Sequence, residues 1–150
     1  MYCTALVVAA LPAAVVAQPR PISLWLGAGR QVAHDSDSFS FKQLDAYGAL
    51  QLDVPLLPVA LRGDISIAGS DLARGTRNVS TSVIAPLRLP VIQPYAMVGY
   101  GIYDWGKAAE TRGISYGAGL RLQLGGMGLF AQVRRHEKLD RSMGTIGLVF

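Results

Sequence analysis

The carboxyl-terminal stretch Met143-Gly-Thr-Ile-Gly-Leu-Val-Phe150 sets the tightest constraint on what this chain can become. Successive side chains of a strand point to opposite faces, so Gly144, Ile146, Leu148 and Phe150 share one face and Thr145, Gly147 and Val149 the other. On an open soluble sheet, a bare apolar row ending in an aromatic would be an edge that invites aggregation. The conflict disappears if the row meets hydrocarbon and the strand closes onto the first one, leaving no edge.

The same period-two pattern recurs along the chain. In residues 42–53, Leu44, Ala46, Gly48, Leu50 and Leu52 alternate with Gln43, Asp45, Tyr47, Gln51 and Asp53. From Ala60, the row Leu61, Gly63, Ile65 and Ile67 opposes Arg62, Asp64 and Ser66. Residues 78–87 set Val79, Thr81, Val83 and Ala85 against Ser80 and Ser82. Residues 114–124 set Tyr116, Ala118, Leu120, Leu122 and Leu124 against Gly117, Gly119, Arg121 and Gln123. Residues 128–135 set Leu129, Ala131 and Val133 against Phe130, Gln132 and Arg134. Residues 94–103 admit either register, and Ala96, Val98, Tyr100 and Ile102 are expected outside. With residues 23–31 and the terminal stretch, the segments number eight. Eight strands make a small even closure whose interior is just wide enough for side chains to fill.

Composition fits such a barrel. Hydrophobic residues reach 51% and charged residues only 16%, where soluble domains carry about 25% charge. The 17 glycines suit strands that bend tightly or approach one another closely. No run of about 18 apolar residues is present, so no membrane helix is expected. The net charge is +4, but Lys and Arg are scattered singly, and nucleic acid is not an expected partner.

Residues 1–17, MYCTALVVAALPAAVVA, read as a signal peptide cleaved after Ala17, although no Lys or Arg precedes the apolar core. The barrel domain is then residues 18–150. The single cysteine, Cys3, lies in that leader, which excludes an intrachain disulfide. Connections alternate in character: 54–59, 88–93 and 125–127 are short and rich in turn residues, whereas 33–38, 71–77, 104–112 and 136–142 are charged. Short turns on the periplasmic side and polar loops outside are the pattern of an outer-membrane barrel. Trp25, Tyr95, Tyr103, Trp105 and Phe150 are expected to form aromatic girdles at the two interfaces.

Pro94-Tyr-Ala-Met-Val-Gly-Tyr-Gly-Ile-Tyr103, Tyr116-Gly-Ala-Gly-Leu-Arg-Leu122 and Gly144 to Phe150 resemble strands of the OmpA/OmpX-type outer-membrane β-barrel superfamily. The final strand is similar to the carboxy-terminal signal of bacterial outer-membrane proteins. The resemblance covers essentially residues 18–150, and it is one of pattern. It implies an all-β, eight-stranded antiparallel up-and-down transmembrane barrel in the outer membrane of a Gram-negative cell. Its implied partners are outer-membrane lipids, lipopolysaccharide and the barrel assembly machinery, the last through the carboxy-terminal strand. The chain ends at Phe150, so the resemblance lends no support to tethering through a periplasmic cell-wall domain.

In this reading Leu44, Leu50, Leu52, Leu61, Ile65, Leu120, Leu122, Leu129, Val133, Ile146, Leu148 and Phe150 face lipid. Asp45, Asp53, Arg62, Asp64, Arg121 and Arg134 lie inside. Isolated ions would be expensive there, so they are expected to pair across the lumen, with Arg121 and Arg134 among the carboxylate partners. The expected function is a structural or surface role with at most a narrow pore. One rival is a lipid A deacylase or palmitoyltransferase, whose chemistry needs a histidine to activate a serine and a carboxylate to orient the ring. His34-Asp35-Ser36 and His136-Glu137 are the candidates, although both histidines read as loop residues. A soluble lipocalin-like barrel is the other rival, because alternation alone does not say which stripe points inward. No metal site, cofactor loop or phosphate loop is recognisable. The basic residues Arg74, Arg77, Lys107, Arg112, Arg135, Lys138 and Arg141 are placed to meet lipopolysaccharide phosphates.

Overall fold

The computed structural model describes residues 21–33, 44–54, 56–69 and 75–150. They form β1 (Ile22–Ala33), β2 (Asp45–Asp53), β3 (Ala60–Ala68), β4 (Thr76–Pro86), β5 (Ile92–Tyr103), β6 (Thr111–Leu124), β7 (Met127–His136) and β8 (Arg141–Val149). Each strand pairs antiparallel with the next and β8 pairs with β1, giving a closed up-and-down barrel in sequence order. The expected leader with Cys3, the His34-Asp35-Ser36 segment and Arg74 lie outside the described residues.

Closure depends on the terminal strand. Its register with β1 runs from Trp25↔Val149 to Ala33↔Arg141. Beyond it, the Phe150 amide donates to the Leu24 carbonyl at 2.9 Å and the Leu24 amide donates to the Phe150 carbonyl at 3.1 Å. The backbone of the last residue is thus consumed by the wall while its ring stays exposed. Full closure is the one device that removes sheet edges altogether.

Which stripe points inward is settled by burial. Along β7, exposed and buried residues alternate without interruption. Leu50 is 60% exposed and Ile146 68%, while Arg62 on the opposite stripe is 2% exposed. Leu44, Leu52, Leu61, Ile65, Leu120, Leu122, Leu129, Val133, Leu148 and Phe150 are also exposed on the outer face. In β5, Ala96, Val98 and Tyr100 face out while Tyr95, Met97 and Tyr103 are buried inside. The barrel is therefore inside out relative to a soluble ligand-binding barrel of lipocalin type, which keeps its apolar stripe within.

The aromatic residues divide differently from the girdle expected from sequence. Trp25, Tyr95 and Tyr103 are buried in the lumen, whereas Trp105, Phe150, Tyr100 and Tyr116 are exposed on the outside. The reason is volume, because an eight-stranded interior has to be filled and large rings on inward positions fill it. Glycines make the room. Gly27 and Gly147 are register partners across the β1–β8 seam. A Cβ on Gly147 would strike the Leu26 carbonyl oxygen and lie 2.7 Å from the Phe130 ring.

The two barrel ends differ. Connections 54–59, 87–91 and 125–126 lie at one end, called the turn side, together with Pro21 and Phe150. The two-residue connection after β6 has Gly125 at φ 63°, a conformation that a Cβ disfavours. The carboxyl ends of β1, β3, β5 and β7 lie at the other end, called the loop side.

Candidate functional site in the barrel interior

Polar side chains of the lumen gather into two clusters, one above the other. The turn-side cluster is built on Arg62 of β3. Its guanidinium carbon lies 3.7 Å from the centre of the Trp25 ring and 5.1 Å from that of Tyr95. Arg62 Nε and Nη2 donate to Gln51 Oε1 at 3.2 and 2.7 Å, and Nη1 donates to Gln132 Oε1 at 2.9 Å. Tyr95 Oη donates to the same Gln132 oxygen at 3.0 Å, and Gln51 Nε2 donates to Asp53 Oδ1 at 3.2 Å. Phe130 tilts against Trp25 with ring centres 4.8 Å apart. No carboxylate forms an ion pair with Arg62 among the described residues. The cation is held instead by two amide oxygens and a π face, an acceptor set suited to a planar guanidinium.

The loop-side cluster is built on Arg134 of β7. Nη1 and Nη2 donate to Asp64 Oδ1 and Oδ2 at 2.8 and 3.0 Å, a bidentate pair with both side chains buried. Nη1 also donates to Ser80 Oγ at 2.6 Å, and Ser80 in turn donates to Asp64 Oδ1 at 2.7 Å. Ser82 Oγ and Met97 Sδ, each 3.3 Å from Nη2, complete the shell. Strands β3, β4, β5 and β7 are thereby joined across the lumen rather than only around the wall.

Toward the loops, the pair borders a cavity of about 10 Å³ whose lining includes Tyr47, Ser66, Tyr103, His136 and Thr145. Such a cavity has room for about one water molecule. Tyr47 Oη, Tyr103 Oη and His136 Nδ1 are buried there without a hydrogen bond among the described residues. His136 was expected in a loop but is the last residue of β7, buried, with its ring edge-on to Tyr103 at 4.6 Å. Ser115 is its register partner on β6. Neither Ser115 Oγ nor His136 Nδ1 finds a hydrogen-bond partner among the described residues.

The six charged residues expected inside thus fall into different settings rather than one network. Asp64 and Arg134 are brought together, Arg62 is held by glutamines, and Asp53 touches that cluster through Gln51. Arg121 lies with its guanidinium 5.7 Å from the Trp25 ring, and Asp45 is buried at the loop end of β2. Gln51, Gln132, Ser80, Ser82, Trp25 and Tyr95 were not singled out by sequence as site residues. Their only signal was inward parity, and parity does not say which side chains will meet. Among the described residues, no three His, Cys, Asp or Glu side chains converge as a metal site would require.

This geometry has known counterparts. The chain superposes on the N-terminal β-barrel domain of Pseudomonas aeruginosa OprF with a TM-score of 0.63 at 16% identity, covering 86% of this chain and 95% of that one. It superposes on a de novo designed transmembrane β-barrel with a TM-score of 0.62 at 13% identity, covering 86% and 92%. The chain has the fold of a small transmembrane β-barrel. No family model matches the sequence, and no curated protein matches it either. The resemblance read from strand pattern therefore rests on architecture.

Proposed function

We propose that the chain is a small outer-membrane β-barrel with a structural or surface role and at most a narrow pore. One observation carries the reading: the outer wall is an aliphatic belt with contributions from all eight strands, including Leu24, Leu50, Leu61, Val83, Val98, Leu120, Val133 and Ile146. Soluble monomers expose contiguous apolar patches of only a few hundred Å². A belt around a closed wall has its natural solvent in hydrocarbon. The partners in this reading are outer-membrane lipids and lipopolysaccharide, with delivery by the barrel assembly machinery through β8.

The lumen supports the modest pore. Arg62, Trp25, Tyr95 and Phe130 pack together in the turn-side half, below the loop-side cavity. The reading gives the protein no catalytic role, and unchanged lipid A acyl composition after joint replacement of His34 and Ser36 by Ala checks that part.

The test is fractionation followed by gel migration. The protein should leave membranes with detergent but not with urea or carbonate, and unheated samples should migrate apart from boiled ones. Recovery in the soluble fraction without detergent would overturn the proposal. Planar-bilayer recordings should show small, infrequent conductance steps, and a large steady conductance would exclude a filled lumen.

A further inference from the structure

The loop-side rim carries cations on several strands, and two of them are held in ion pairs among the described residues. Arg112 pairs with Glu110 at 3.1 Å and Arg135 with Asp140 at 2.8 Å. The stem of Lys138 lies across Gly113, whose added Cβ would meet it at 3.1 Å. One corner differs. Arg77 is exposed at the loop end of β4, two residues beyond the outward Val79, and forms no ion pair among the described residues. The connection between β5 and β6 folds onto it: the Trp105 amide donates to the Arg77 carbonyl at 2.9 Å, and the Asp104 amide donates to Asn78 Oδ1 at 3.1 Å. Lys107 Nζ donates to Thr76 Oγ1, which holds the ammonium beside the start of β4. Trp105 is exposed at the same corner. Of the nearby acids among the described residues, Glu110 takes Arg112 and the Gly106 amide, and Asp104 is half-buried.

Below this corner the wall is apolar. Val79 pairs with Ile102, which pairs with Arg112, and the next outward row places Thr81 beside Tyr100 and Tyr100 beside Ile114. Two cations and an indole above an aliphatic and aromatic wall match the two parts of a phospholipid: a headgroup phosphate for the cations and acyl chain for the wall. Resting on the membrane reading above, we propose that Arg77, Lys107 and Trp105 form a binding site for a lipid bearing a phosphate headgroup, with its chain along Ile102, Tyr100 and Ile114.

The test uses lipids brominated on the acyl chains, which quench nearby tryptophan. The chain has two tryptophans, and Trp25 is buried in the lumen, so Trp105 is the one that contact quenching reads. The full chain is placed in phosphatidylcholine vesicles containing a minor fraction of either brominated phosphatidic acid or brominated phosphatidylcholine. Each cation near the surface is worth about fivefold in preference for an anionic lipid, so phosphatidic acid should be the stronger quencher at equal mole fraction. The excess should vanish in the Arg77→Ser/Lys107→Ser double variant, whose outward positions leave the wall intact, and should persist in Lys138→Ser.

Equal quenching by the two brominated lipids would overturn the site while leaving the membrane reading standing. Quenching by neither would place Trp105 away from acyl chains and would likewise overturn the site. Loss of the excess on adding millimolar inorganic phosphate at constant ionic strength would mean that free phosphate competes for the cations, and that would also refute a lipid site.

Discussion

The two halves of the lumen solve the same problem, an arginine taken out of water, by different means. In the loop-side half Arg134 is neutralised by Asp64 in a bidentate pair, and two serines take up remaining valences. In the turn-side half Arg62 has no such partner among the described residues and is held by Gln51, Gln132 and the face of Trp25. The loop-side half also keeps a water-sized cavity and buried hydroxyls without hydrogen bonds among the described residues, while the turn-side half is packed with rings. Charge compensation tolerates a looser interior, whereas a cation held by dipoles and π electrons needs close packing around it. In the pore reading proposed above, the turn side is the plug and the loop side the vestibule.

Removing one partner of the pair should have the largest effect. Asp64→Ala strands a buried guanidinium and should destabilise the barrel by about 3–5 kcal/mol, measured by urea unfolding from vesicles. Replacing both groups, as Asp64→Ala/Arg134→Met, should recover most of that loss, because two buried charges leave together. If the double variant were as unstable as the single one, the pair would not be the organising contact of its half.

The turn-side counterpart should cost less. Arg62→Met leaves the oxygens of Gln51 and Gln132 without their donor but strands no charge, and a loss of about 1.5–3 kcal/mol is expected. Arg62→Lys should recover little of it, because an ammonium cannot reach both amide oxygens while lying on the indole. A larger loss for Arg62→Met than for Asp64→Ala would reverse the ranking of the two halves. The same variant should raise bilayer conductance if this layer is the plug, whereas Asp64→Ala should raise it less.

Much of the barrel was readable before the structure, because alternation is a property of one strand at a time. Leu120, Arg121 and Leu122 announce opposite faces without reference to anything distant, and eight such segments with alternating connections imply closure. What alternation leaves open is which inward side chains share a level. Register and shear decide that Arg62 meets Gln132, seventy positions away, and that Arg134 meets Asp64 rather than Asp45. The aromatics were misassigned for a related reason. Trp25, Tyr95 and Tyr103 looked like interface residues by composition, yet their parity placed them inside, where the glycines of neighbouring strands leave room for rings.

The smallest effect gives the sharpest reading of the packing difference. Tyr95 Oη donates to Gln132 in the turn-side half, whereas Tyr103 Oη in the loop-side half makes no hydrogen bond among the described residues. Tyr95→Phe should therefore cost about 1 kcal/mol, the usual net worth of a buried hydrogen bond, and should loosen the hold of Gln132 on Arg62. Tyr103→Phe removes a hydroxyl with no bond to lose and should be neutral or slightly stabilising in the same unfolding measurement. A cost for Tyr103→Phe equal to that of Tyr95→Phe would mean that water in the vestibule already satisfies the hydroxyl. The loop-side half would then be bonded as completely as the turn-side half, with solvent in place of side chains, and the contrast between them would reduce to what fills the space.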